Sequence, residues 1–168
     1  ATTVIYTLSL HDALPICAIS LITGFELRRV LLVEPEYRAK YPPLGLMKIH
    51  AYHSLIGDAC RFTRGVQPAL VAEKWDRVYV SSLFTYNWDV TVCTIRAYSN
   101  SVPTIKDIYV GGPMATLMCD ELEAETGVTI VKGLLDRPGM LDRHWRFIVD
   151  DLIRSEEHTS ELQSRQSI

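Results

Sequence analysis

Five short apolar runs, VLLV (Val30–Val33), ACRF (Ala59–Phe62), VYVSS (Val78–Ser82), IYVGG (Ile108–Gly112) and VTIV (Val128–Val131), punctuate the middle of the chain. They show little polar alternation. That pattern suits strands covered on both faces, the condition of a parallel sheet, better than strands with one wet face.

Segments with helical spacing lie between the runs. Pro43 sits at a first helical position, Leu44, Met47, Ala51 and Leu55 follow as an apolar stripe, and Gly57 ends the helix. Pro68 opens a short segment with Leu70, Val71 and Trp75. Asn87 is placed to cap a helix carrying Trp88, Val92 and Ile95, and Pro113 to open one carrying Leu117 and Leu122 and ending at Gly127. The aromatic residues read as core. Strands and helices alternating through short connections imply right-handed crossovers. The expected architecture is an α/β, doubly wound, five-stranded parallel sheet of flavodoxin-like (Rossmann-like) type, with strand order 2-1-3-4-5 and no second domain. In such a sheet a ligand lies beyond the carboxyl ends of the strands, where the strand order reverses. The loops of interest are therefore EPEYRAKYPP, SLFTYN, GGPM and GLLDRPG.

A net charge of -3, with Lys and Arg scattered, favours neither nucleic acid nor an acidic membrane as partner. Cys17, Cys60, Cys93 and Cys119 are too far apart to form a zinc or iron–sulfur cluster and read as buried thiols of a reducing cytosol. His50 and His53 share the first helix without an evident acidic partner, so they read as surface or core-edge residues and no metal site is expected. The apolar run from Ala13 to Phe25 lacks a basic lead, contains Pro15 and is too short to span a bilayer, so a cytoplasmic protein is expected.

The two ends differ from the middle. TLSLHDALPI in residues 1–16 and RSEEHTSELQS in 154–168 resemble translated adapters from short-read sequencing libraries. The division this implies is an adapter-like segment over 1–16, a doubtful lead-in over 17–28, a domain over 29–153 and an adapter-like tail over 154–168.

No G-x-G-x-x-G, G-x-x-x-x-G-K-[ST] or G-x-S-x-G is present, so dinucleotide, phosphate-loop and serine-nucleophile chemistry lose their signatures. Glu34 and Glu36 leave the first strand together. They could form an acid/base pair, but no His or Lys is placed to complement them, and a solvated role is expected for both. Ser81, Ser82 and Leu83, with Thr85 beyond them, follow the third strand; Gly111 and Gly112 end the fourth. A serine hydroxyl can bond a ligand, and two glycines let a bulky one approach the backbone. The plainer alternatives are that Ser82 caps a strand and the glycines make a tight turn.

Ser81-Ser82-Leu83, with 27 residues between Leu83 and Gly111-Gly112, resembles the S-x-L and G-G pattern of cobalamin-binding domains. PPLGLMKIHAYH (Pro42–His53) resembles the helix opening of those fused in front of radical S-adenosylmethionine (SAM) domains, and VDDLI (Val149–Ile153) the segment leading into the second domain. The resemblance implies cobalamin docked by Glu34, Glu36, Pro43, Leu44, Gly45, Ser81, Ser82, Leu83, Thr85, Gly111 and Gly112. The parent would be a radical SAM enzyme, methyltransferase-like, with SAM and an iron–sulfur cluster held only in the missing downstream domain. No catalytic residue is expected in this fragment. The family's D-x-H-x-x-G falls on Glu34, Glu36 and Ala39, so the histidine that would ligate cobalt is replaced by a carboxylate. Two other readings stay open. One is a degenerate packing or interaction module whose crevice is filled by Phe84, Tyr86 and Met114; the other is a small acid/base enzyme using Glu34 and Glu36.

Overall fold

A computed structural model describes residues 27–37, 43–142 and 148–152. Five strands, β1 (Arg29–Glu34), β2 (Ala59–Arg64), β3 (Arg77–Ser81), β4 (Ile108–Gly111) and β5 (Thr129–Val131), form one sheet in the order β2-β1-β3-β4-β5. Every neighbouring pair is parallel. The expected doubly wound, flavodoxin-like α/β architecture is the one observed.

Helix α1 (Leu44–Leu55) covers one face; α2 (Pro68–Ala72), α3 (Trp88–Tyr98), α4 (Pro113–Leu117) and α5 (Cys119–Thr126) cover the other. Alternation along the strands divides the core. Leu31, Val33, Val78, Val80, Ile108 and Val110 pack under α2–α5, whereas Val30, Leu32 and Tyr79 pack under α1 with Leu135, Leu141 and Val149 from the C-terminal segment. Val30 to Val33 are at most 1% exposed, as expected of a central parallel strand. The edge strand β2 departs from that pattern, because only one neighbour shields it: Phe62 is 48% exposed and Thr63 alone is buried. Among the described residues no helix is long and apolar enough to cross a membrane.

Several local expectations are corrected. In α1 the buried residues are Leu46, Ile49, Tyr52 and His53, while Leu44, Met47 and Leu55 of the anticipated stripe are exposed. This helix carries two apolar stripes, so spacing alone does not choose between them. Pro43 occupies the N-cap rather than the first helical position, and Trp75 lies beyond α2, with its indole N–H donating to the Leu70 carbonyl at 2.9 Å. Asn87 makes no side-chain cap; a 3₁₀ turn over Thr85–Asn87 runs straight into α3. The helix opened by Pro113 breaks at Met118, leaving Leu117 exposed and Leu122 buried. Gly127 ends α5 in the left-handed region, as its position suggested. The described thiols are not buried: Cys93 on an outer helix face is exposed, and Cys60 on the edge strand and Cys119 at a helix start are partly so. Cys17, Ala39 and Pro42 lie outside the described residues.

Candidate functional site

The strand order reverses between β1 and β3, and the carboxyl ends of these strands open into a crevice of about 720 Å³. Three segments wall it: Pro43–Ile49 from the start of α1, Tyr79–Phe84 from β3 and its loop, and Gly111–Pro113 after β4. The C-terminal segment adds Gly133, Leu134, Leu135 and Asp150. Of the residues anticipated from sequence, Glu34, Pro43, Leu44, Gly45, Ser81, Ser82, Leu83, Gly111 and Gly112 line this one crevice. Glu36 and Thr85 do not. Glu36 is exposed at a bend beside Gly65, and Thr85 is exposed at the start of the 3₁₀ turn.

Consecutive residues of an extended segment point to opposite sides, which gives the two serines different tasks. Ser82 is fully buried; its hydroxyl donates to the Gly111 carbonyl at 2.9 Å and accepts the Ala115 N–H at 2.9 Å. It ties the β3 loop to the start of α4, and its one O–H donor is committed to that link. Ser81 Oγ, by contrast, is buried at the crevice with no hydrogen-bond partner among the described residues. Gly112, at φ +111°, faces the Ser82 carbonyl so closely that the chain itself demands glycine there. Gly45 is the reverse case: a Cβ on it would meet nothing within 4 Å.

Glu34 is 1% exposed rather than solvated. Its complement comes from the end of the neighbouring strand, where Arg64 Nε donates to Glu34 Oε2 at 2.6 Å; the register that sets Glu34 beside Arg64 exists only in the folded sheet. The second carboxylate oxygen, Oε1, has no partner among the described residues.

Sequence reading missed Tyr79, Tyr109, Ile49, Val131, Lys48 and Asp150. The tyrosine rings are 5.3 Å apart at 33° and pave the sheet side of the crevice. Strand parity was the available signal, since Tyr79 and Tyr109 are register partners on the face that α1 covers. Lys48 and Asp150 pair at 2.9 Å across the crevice wall, joining α1 to the C-terminal segment.

A buried polar network lies on the same face. His53 is fully buried, with Nδ1 2.7 Å from Asp58 and Nε2 3.0 Å from the Tyr79 hydroxyl, so the expectation of a surface or core-edge histidine without an acidic partner is corrected for it. Asp58 also accepts the Arg28 backbone N–H and Nε, both at 3.0 Å. Arg28 reaches on to both oxygens of Asp142, which further accepts Tyr52 at 3.2 Å and Arg77 at 3.3 Å. Burial holds the His53 imidazole below its ordinary range, outweighing the pull of Asp58. Burial also pushes the Tyr79 hydroxyl up, in spite of the nearby Arg77. For Asp58 and Asp142 burial works upward, but the hydrogen bonds and charges around them outweigh it, and both lie below the usual carboxylate range. These groups satisfy one another. One consequence is that Arg28, assigned to the doubtful lead-in, is bonded into the domain on both sides.

Among the described residues no group of three His, Cys, Asp or Glu side chains is arranged to hold a metal ion. No protein-family model matches the chain, and no curated protein matches it.

Proposed function

We propose that this domain docks cobalamin, as the front module of a radical SAM parent. The observation that carries the reading is the crevice at the β1/β3 switch point, in which the segments that resemble the family's pattern, Pro43–Leu46, Ser81–Leu83 and Gly111–Gly112, come to one place.

The fit to the nucleotide tail rests on three features. The walls are mostly apolar, Gly45 leaves room beside the first turn of α1, and Ser81 Oγ offers an unused hydrogen-bonding group. Ser82 and Gly112 contribute indirectly, by fixing the loop that carries Ser81 to the loop that carries Gly111. Glu36 stands off the crevice, His50 is exposed and His53 is spent in the buried network, so the described side chains offer no imidazole for cobalt. Cobalamin held here is therefore held through its tail, without a ligand to the metal from the described histidines. When bound, it would supply methyl transfer or another radical reaction together with SAM cleaved in a downstream domain. This chain's residues hold and orient the tail and exclude water from it.

The packing-module alternative needs the crevice filled from within. Phe84 lines the crevice but stacks on Tyr86 at 8°, and the two are 53% and 79% exposed rather than packed into it, while Met114 is buried in the core on the opposite face. The acid/base alternative needs Glu34 and Glu36 at one site, and Glu36 stands off the crevice; the other carboxylate lining it, Asp150, is paired with Lys48 at 2.9 Å.

Titration of the chain with hydroxocobalamin, followed by its visible spectrum and by calorimetry, tests the proposal. Saturable binding with a Kd of about 10 μM or tighter is expected, with no spectral signature of a histidine ligand. Absence of binding by both methods would overturn it.

A further inference from the structure

We infer that the crevice selects a planar ring that carries an N–H or O–H donor, through Glu34 Oε1 and Ser81 Oγ. Strands β1 and β3 are parallel neighbours with Val33 beside Val80, so Glu34 and Ser81 end the two strands side by side at the switch point. Both line the crevice. Each also carries a buried polar atom with no hydrogen-bond partner among the described residues, and these two atoms are the ones found in that condition. Folded proteins rarely leave such atoms unpaired unless something else pairs with them.

The chemistry of the missing partner follows from the atoms. A carboxylate oxygen only accepts, and Oε2 already receives Arg64 at 2.6 Å, so the group that completes Glu34 is a donor. Ser81 Oγ can accept as well as donate. The same crevice presents the Tyr79 and Tyr109 rings, tilted by 33°, with Ile49 and Leu135 around them, an apolar aromatic wall suited to a ring rather than to a flexible polar chain. An aromatic wall beside two unpaired acceptors describes an aromatic heterocycle with a donor on its edge. On the docking reading, that ring is the base of the nucleotide tail, and the site prefers a base with an N–H to an alkylated base without one.

The test compares two cobamides that differ only in the tail base, adenine with its exocyclic N–H groups or 5,6-dimethylbenzimidazole with none. A fragment pair, indole and 1-methylindole, is titrated in parallel by calorimetry and ligand-observed NMR. The chains are the parent, Glu34→Met, Glu34→Gln and Ser81→Ala, with circular dichroism confirming that each is folded. The expected result is a preference of about tenfold or more for the donor-bearing member of each pair, reduced in Glu34→Gln and lost in Glu34→Met. Equal binding of both cobamides would overturn the inference and leave docking intact. Discrimination within the indole pair that depends on Glu34, with neither cobamide bound, would support the inference and overturn docking. Failure of every probe to bind, or discrimination that survives in Glu34→Met, would overturn the inference.

Discussion

A Cβ at position 112 would lie 2.1 Å from the carbonyl oxygen of Ser82, a separation that no real side chain tolerates. The obstacle is backbone, and the Ser82 N–H is itself bonded to the Gly111 carbonyl at 2.8 Å, so neither loop can retreat without breaking the link between β3 and β4. Gly112→Ala is therefore expected to destabilise the domain by about 3 kcal/mol or more, through steric overlap and a positive φ together. Urea denaturation measures this directly. A loss under about 1 kcal/mol would show that the loops can separate, and Gly112 would then be free to serve a ligand.

Gly45 is the position at which the crevice can be filled without harm to the fold. Nothing lies within 4 Å of its Cβ direction, and replacing glycine in a helix lowers the entropy of the unfolded chain. Gly45→Leu is expected to hold or raise stability by roughly 0.5 kcal/mol while weakening hydroxocobalamin binding at least about tenfold. Unchanged binding in a folded Gly45→Leu chain would place the ligand elsewhere.

Stability is expected to fall in two stages as pH decreases. His53 is held neutral by burial, with its pKa below the ordinary 6.5. Below about that pH the unfolded chain takes up a proton that the folded chain refuses, so stability declines as pH falls from 6.5 toward the folded pKa. Asp58 and Asp142 are depressed below 3.8, and their contribution is present above that value and lost as pH falls through their folded pKa. Denaturation midpoints measured from pH 7.5 to 3 should show both declines, and His53→Phe should abolish only the first. A flat profile between pH 7 and 5 in the parent would contradict the assignment of a neutral His53.

Trimming separates the flanks from the domain. Removing 1–16 and 154–168 is expected to leave the melting temperature nearly unchanged, because neither sequence offers an apolar stripe to dock. Extending the N-terminal cut through Arg28 removes a side chain shared by Asp58 and Asp142, and a loss of about 2 to 4 kcal/mol is expected, since two partly buried carboxylates lose their main cation. Asp142→Ala should cost a similar amount and speed hydrogen exchange around Leu135 and Leu141, which pack beneath α1 on the same face. Equal stability with and without Arg28 would restore a domain boundary at position 29.

Sequence alone determined the sheet. Five apolar runs, turn residues between them and short connections admit few arrangements, because parallel strands must be covered on both faces and crossovers keep one hand. It also determined which loops meet, since in any doubly wound sheet the carboxyl ends of the strands share one edge. Tertiary structure decided the rest, for reasons that lie in pairing between distant residues. Which stripe of α1 is buried depended on what Leu135, Leu141 and Val149 leave uncovered. Glu34 became a buried carboxylate with a half-exposed cation beside it because parallel register brings Arg64 alongside, and His53 became a core residue because the turn after α1 returns Asp58 to its ring. Ser81 and Ser82 are indistinguishable as letters. Only the pleat of the chain, which turns one toward the crevice and the other toward α4, gives the first an unpaired hydroxyl and the second a structural bond.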